Sequence, residues 1–416
     1  MSTKTQTIET EDESSVGVTP TTTRELPITT KPGRVPIKSW AAELDPGTLE
    51  QATNLSNLPF AIRHVALMPD AHAGYGMPIG GVLFADRVVV PYAIGVDIGC
   101  GVAFVETDLT VETLDADALK RTLAQIARDV PVGNASQPRP VDRDAALAEI
   151  GLAVPASVTP AWFDRAVNQL GTLGSGNHFL ELQRDEEGRV FVMLHSGSRS
   201  LGKTICDEFH KRALAQNTAW HSELPHPELA YLPLGTDDHA GYWSAMEFAL
   251  RFAEVNRSRM LDKVEYAFGR HTSVGRIERL VDVHHNYAAW ETHFGTDGIV
   301  HRKGAVRARA GEKVLIPGSM GTASYVGEGL GNAESFMTCQ HGAGRAMSRS
   351  AARKAKTSAD VFAEMRSLGV ALHSGDPKTV AEEAAFAYKD IEAVMAASST
   401  LVRATRRLTP VGVVKG

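Results

Sequence analysis

Residues 91–101 read Pro91-Tyr92-Ala93-Ile94-Gly95-Val96-Asp97-Ile98-Gly99-Cys100-Gly101, and the chain is organised around them. Asp97 and Cys100 stand three apart between glycines, which let the backbone bend sharply and bring a carboxylate and a thiolate together. That pair suits a metal. Four further stretches carry a histidine beside glycine or asparagine: Gly176-Asn177-His178, Leu194-His195-Ser196-Gly197, His284-His285-Asn286 and Gln340-His341-Gly342-Ala343-Gly344. A fold that makes these five segments meet is the expectation.

Any one of these histidines taken alone is more often a hydrogen-bonded structural residue than a ligand. As a set, Asp97, Cys100, His178, His195 and His285 offer one oxygen, one sulfur and three nitrogens, enough for two adjacent metal ions if the thiolate bridges. The close ligand pairs of a zinc finger are missing. Soft thiolate and imidazole donors favour zinc over manganese, while the spacing leaves the metal open.

The glycines beside the histidines, in Gly174-Ser175-Gly176, Gly197, Gly318 and Gly342-Ala343-Gly344, would let backbone N–H groups approach phosphate oxygens. That points to a nucleotide or an RNA phosphate. The chain has no GxxxxGK[ST] loop and no strand-GxGxxG-helix unit, which excludes the common nucleotide cradles. It also lacks the Lys-x-Asp-Gly or Lys-x-Asn-Gly of lysine-nucleotidylating ligases. A covalent nucleotide would need another nucleophile, and His341 is the candidate, because imidazole can form a phosphoramidate. Alone, His341 reads equally well as a sixth ligand.

With 416 residues and 43% hydrophobic content the chain can bury a substantial core. A net charge of −6 argues against a protein that coats nucleic acid through bulk charge. No run of about 18 apolar residues occurs, and residues at the start lack the basic-then-apolar pattern of a signal peptide, so a cytoplasmic protein is expected. Three scattered cysteines, Cys100, Cys206 and Cys339, fit a reducing compartment.

Residues 1–34, rich in Thr, Ser, Glu and Pro, read as a disordered tail, and residues 35–416 as one catalytic domain. Residues 61–68 read as a strand running into a loop at Pro69-Asp70, and 80–90 as a second strand region. Residues 111–130 have helical spacing (Leu114, Leu119, Leu123, Ile126), whereas 131–170 are weakly patterned. The apolar run 190–194 delivers His195 at its end, and 314–316 enters the loop Pro317-Gly318-Ser319-Met320-Gly321. The longest expected helix, 245–268, carries Phe248, Phe252, Met260, Val264 and Phe268 on one stripe. Asn256 interrupts that stripe, either as a buried amide bonded to backbone or as a group aimed at the site. A basic track, His301 to Arg309, and a second set at Arg345, Arg349, Arg353, Lys354 and Lys356 read as solvated faces or as contacts to RNA phosphates.

Motif by motif, residues 35–416 resemble the RtcB-type RNA ligases. The matching stretches are Met68-Pro69-Asp70-Ala71-His72, 95–101, 171–181, His195-Ser196-Gly197-Ser198-Arg199, His284-His285-Asn286-Tyr287, His301-Arg302-Lys303-Gly304-Ala305, 317–324, His341-Gly342-Ala343-Gly344-Arg345 and Val413-Val414-Lys415-Gly416. The resemblance implies an α+β fold with a large mixed sheet flanked by helices. It implies two Mn2+ ions bridged by Cys100 and held by Asp97, His178, His195 and His285, with GTP as co-substrate and His341 guanylylated. The implied guanylate pocket comprises Asn177, His178, Phe179, Leu180, Glu181, His285, Asn286, Pro317, Gly318, Ser319, Met320, Ser324, His341, Gly342, Ala343, Gly344 and Lys415. The implied reaction joins RNA 2',3'-cyclic phosphate or 3'-phosphate ends to 5'-hydroxyl ends, in tRNA splicing or RNA repair. Two rival readings keep the site: a dinuclear-metal phosphoesterase with His341 as acid or ligand, and an idle RNA-binding relic, against which the complete set of chemical groups speaks.

Overall fold

The apolar runs become two mixed sheets in the computed structural model, which describes residues 25–375 and 377–416. The first has six strands in the order Ile28–Thr30, Ile37–Ser39, Ala61–His72, Ile79–Ala85, Thr296–Lys303 and Asn286–His293, with one parallel pairing between the second and third. The second runs Ile277–His284, Gly101–Thr110, Arg189–Ser196, Phe179–Arg184, Val402–Lys415, Ser324–Gly329 and Lys313–Ile316, and Ala371–Ser374 pairs in parallel with Val402–Lys415. The α+β class therefore holds, with the mixed sheet divided into two bodies. His285 lies where the chain leaves one sheet and enters the other, between Ile277–His284 and Asn286–His293.

Two helices, Ala116–Asp129 and Asp237–His271, cover the larger sheet, while Pro46–Ser56 packs on the smaller one. Asp115 caps Ala116–Asp129 by accepting from Ala118 N, and Leu123 and Ile126 on its buried face pack with Val192, Leu194, Met260, Val264 and Phe268. Each such aliphatic or aromatic side chain contributes roughly 1.5–3 kcal/mol on burial. The long helix runs over Asp237–His271, eight residues earlier than the stripe suggested, because Thr236 caps it and Asp237 and Asp238 complement its N-terminal dipole. Residues 131–170 hold two short helices, Arg143–Ile150 and Pro160–Val167. Each is capped, by Asp142 and Thr159, but too short for its apolar positions to display a period.

Three expectations are corrected. The expected tail of 1–34 lies outside the described residues as far as residue 24, but Ile28–Thr30 pairs with Ile37–Ser39, and Arg34 donates to Leu58 O and Ala61 O. Ordered structure thus begins before residue 35. The strand expected to end at residue 68 continues to His72, taking Pro69 and Asp70 into a stretch of shifted register between Leu67 and His72, the irregular setting in which a strand tolerates proline. The first part of the basic track also turns inward, while Arg309 at its end is exposed. Arg302 is fully buried against Glu291, Lys303 donates to the carbonyls of Tyr75, Met77 and Tyr92, and Arg307 pairs with Glu312. No described helix is long and apolar enough to cross a membrane.

Candidate active site

Strand register brings the chemistry to one place. In the larger sheet Gly101 pairs with Ser196 and with His284, His195 with Phe179, and Phe179 with Lys415. The residues just beyond these rungs, Cys100, His178 and His285, therefore stand side by side at one end of the sheet. In the smaller sheet Asn286 pairs with Lys303, and His72 with Ile79, which turns the corresponding end toward them. Asn286 ties the two together: its amide donates to Asp97 O at 3.0 Å and its carbonyl oxygen accepts from Gly304 N at 2.7 Å.

Two groups of donors share one atom. Cys100, His195 and His285 form one cluster, and Asp97, Cys100 and His178 the other. Cys100 Sγ lies 3.1 Å from His195 Nε2 and 3.4 Å from His178 Nε2, His195 Nε2 lies 3.3 Å from His285 Nε2, and Asp97 Oδ2 is 2.9 Å from His178 Nε2. On the outer side His178 Nδ1 donates to Leu173 O and His195 Nδ1 to Asn177 O. Those bonds hold the second ring nitrogen of each toward the centre, the outer support typical of metal-binding imidazoles. His285 Nδ1 has no partner among the described residues.

Electrostatics favours a cation here. Burial, reinforced by neighbouring imidazole, holds His195 and His285 well below the usual range, so both offer neutral lone pairs. Burial opposes ionisation of Asp97, but His178 outweighs it and brings the carboxyl to about 2. Burial and the Asp97 charge push the Cys100 thiol well up. A divalent ion would reverse that last effect and make the shared sulfur a thiolate. The donor set thus fits two metal ions about one sulfur.

His341 follows the strand Thr338–Gln340, and its ring centroid lies 4.9 Å from that of His285. Its Nδ1 is 2.7 Å from Oδ2 of the fully buried Asp70, which leaves Nε2 as the free face. A cavity of about 870 Å³ joins the two groups and is lined by Asp97, Cys100, Asn177, Phe179, Glu181, His195, His285, Asn286, Pro317 to Met320, His341 to Gly344 and Lys415. His178, a donor of the second cluster, does not line the cavity itself. Ser324 Oγ supports the cavity wall from behind, accepting from Gly318 N at 3.1 Å. Leu180 differs from its neighbours: strand alternation sends Phe179 and Glu181 to the cavity and Leu180 into the core.

Lys415 is buried between carboxylates, 3.7 Å from Glu383 Oε2, with its ammonium over the Phe179 ring. Burial pushes the Glu181 carboxyl up to about 7, with the Gln183 amide and the Lys415 ammonium opposing. At the rim Arg345 and Arg349 bond to Glu383 at 3.3 and 3.1 Å; Arg349 opens the helix Arg349–Ala355, on which the exposed Arg353 pairs with Glu382 and Lys354 is exposed.

Sequence reasoning missed Asp70, whose neighbouring proline read as a loop marker, and Arg257, whose guanidinium is fully buried and donates to Gly99 O, Ser196 O and Asp282. An arginine within an apolar helical stripe is the signal that would have found it. Asn256 is a buried amide bonded to backbone, and that backbone belongs to the site: it binds Gly171 N, Thr172 N, Thr172 O and Gly197 O.

Fold and site together define an α+β protein with a candidate dinuclear metal centre and a braced histidine in one cavity. The chain belongs to the RtcB family: the family model described as tRNA-splicing ligase RtcB matches residues 51–151 and 143–416. The RNA-splicing ligase RtcB of Escherichia coli K12 is 38% identical over 402 residues, spanning 92% of this chain and 97% of its own. The tRNA-splicing ligase RtcB of Pyrobaculum aerophilum is 36% identical, with 94% and 97% covered, and the RNA-splicing ligase RtcB of Mycobacterium tuberculosis 35%, with 88% and 100%.

Proposed function

We propose that this chain is an RNA ligase that joins a 3'-phosphate end, released from a 2',3'-cyclic phosphate, to a 5'-hydroxyl end through a GMP adduct on His341. The observation that carries the reading is the braced histidine: Asp70 holds Nδ1 of His341 while its ring stands beside His285, within a cavity that Asp97, Cys100, His195 and His285 of the two donor clusters also line. Asp97, Cys100, His178, His195 and His285 would hold two Mn2+ ions, which when bound neutralise charge on the phosphates.

In the first step His341 Nε2 attacks the α-phosphorus of GTP and pyrophosphate leaves, while Asp70 stabilises the charge that develops on the imidazole. Glu181 accepts from the guanine ring N–H and amino groups, and Lys415 donates to its carbonyl oxygen. Asn177, Asn286 and the Pro317-to-Met320 and Gly342-to-Gly344 backbones surround the phosphates. An RNA 3'-phosphate oxygen then attacks the adduct phosphorus and frees His341. Finally the 5'-hydroxyl attacks the RNA phosphorus and expels GMP, closing a 3',5'-phosphodiester. The reading takes the enzyme to be cytoplasmic, in keeping with three unpaired, buried cysteines.

Incubation with α-labelled GTP and Mn2+ tests this. An acid-labile adduct on the wild type, lost in His341→Ala at undiminished metal content, is expected. GTP-dependent joining by that variant would overturn the mechanism.

A further inference from the structure

The loop between Ala61–His72 and Ile79–Ala85 is held with unusual care for a surface connection. Gly74 exchanges two hydrogen bonds with the Gln51 side chain, N to Oε1 at 3.0 Å and O from Nε2 at 2.6 Å. Gly76 N donates to Glu228 Oε2, and the buried ammonium of Lys303 donates to the carbonyls of Tyr75 and Met77. Every one of these bonds reaches a distant part of the chain. Yet Tyr75, at the centre of the loop, lines the reaction cavity with 64% of its surface exposed. A tyrosine ordinarily gains from burying its ring, and a backbone fixed this firmly holds it out instead.

Behind it stands a second aromatic layer. The Tyr92 ring lies 6.4 Å from Tyr75 and is itself stacked on His210 at 3.9 Å and 14°. Lys303 continues the link toward the nucleophile, since a Cβ on the next residue, Gly304, would come within 3.0–3.1 Å of the His341 ring. Tyr75 therefore sits on the smaller sheet's side of the cavity, while Glu181 and Lys415 belong to the larger sheet. A fixed, exposed aromatic face beside a phosphate-chemistry site is a stacking surface for an unpaired base, since every base has a π-face to offer.

We infer that Tyr75 is a binding surface for the terminal nucleobase of a single-stranded RNA end, placed so that the phosphate or hydroxyl of that end reaches His341 and the metal donors. The inference deepens the ligase reading by naming an RNA subsite, and rests on it. The shared chemistry is a nucleobase; the end that supplies it is separated by the test.

Two short RNAs serve as probes, one carrying 2-aminopurine as its 3'-terminal nucleotide with a 3'-phosphate, the other as its 5'-terminal nucleotide with a 5'-hydroxyl. The wild type is expected to quench one of them, Tyr75→Ala to lose that quenching and Tyr75→Trp to restore it. In joining assays Tyr75→Ala should raise KM for RNA on the order of 10-fold, the size of one lost base stack. Its adduct formation with GTP alone verifies that the variant is folded. Quenching of neither probe, or quenching and KM for RNA within twofold of wild type in Tyr75→Ala, would overturn the inference. A wild type that quenches through Tyr75 but forms no GMP adduct would sink the ligase reading and leave the stacking surface standing.

Discussion

Asp70 has one oxygen on His341 and the other, Oδ1, without a partner among the described residues. Burying a carboxylate so incompletely bonded costs stability, and it brings a negative charge within hydrogen-bond distance of the imidazole. Asp70→Asn keeps the shape and removes the charge, so the rate of GMP transfer from labelled GTP should fall by roughly 100-fold or more, while the thermal midpoint moves little. An unchanged transfer rate would remove Asp70 from the chemistry. The shared sulfur of Cys100 calls for a different measurement. A serine hydroxyl does not readily ionise between two cations, so Cys100→Ser should retain at most one metal ion by elemental analysis. Full occupancy in that variant would show the thiol to be structural.

The elements matter because each donor is set by the backbone of a strand end, and those ends are clamped by one helix. Asn256 of Asp237–His271 satisfies the amides of residues 171 and 172 and the carbonyls of 172 and 197. Asn256→Ala leaves those buried groups unpaired and should lower unfolding stability by about 3 kcal/mol, read from urea denaturation. Gly197, at the end of Arg189–Ser196, has no room for a side chain: a Cβ there would stand 2.3 Å from Asp97 Oδ1. Gly197→Ala should displace that carboxylate and lose the metal bound by Asp97, Cys100 and His178, leaving the ion at His195 and His285. Equal occupancy of both sites in the variant would argue that the Asp97 loop adjusts freely.

Across the whole molecule, buried and part-buried ion pairs, that of the inward-turned Arg302 among them, link stability to pH. Burial opposes ionisation of Glu291, but its bond to His293 and the Arg302 guanidinium outweigh that and hold the carboxyl at about 2. Glu254 is also at about 2, where burial is outweighed by its bonds to His284 and Arg251. A carboxyl lowered in the folded state is protonated first in the unfolded one, so its contribution is complete above pH about 4.5 and is lost as pH falls toward 2. With chelator present, the urea midpoint should begin to fall as pH drops below about 6.5, where the unfolded chain protonates histidines such as His64 and His301 that burial holds at about 4 in the fold, and should fall more steeply below 4.5 as these carboxyls add their loss. Glu291→Gln should flatten part of that drop and cost about 3 kcal/mol at neutral pH, because it strands the Arg302 charge. A variant with the wild-type acid profile would place the titration elsewhere.

What the sequence determined by itself was the inventory: an acid, a thiol and four histidines beside glycines, strand-like runs such as 190–194 leading into them, and a helix long enough to back a sheet. These are local signals, carried by residue type and by period. The tertiary structure decided what each inventory member faces. Asp70 became the partner of His341 because a shifted register carries Pro69-Asp70 through a buried strand. Leu180 left the cavity because strands alternate faces, and Arg302 and Lys303 turned inward because Glu291 and three carbonyls await them. Such partners lie from 11 to 271 positions away along the chain, and a hydrogen bond or ion pair depends on distance in space, which only the packed sheets fix.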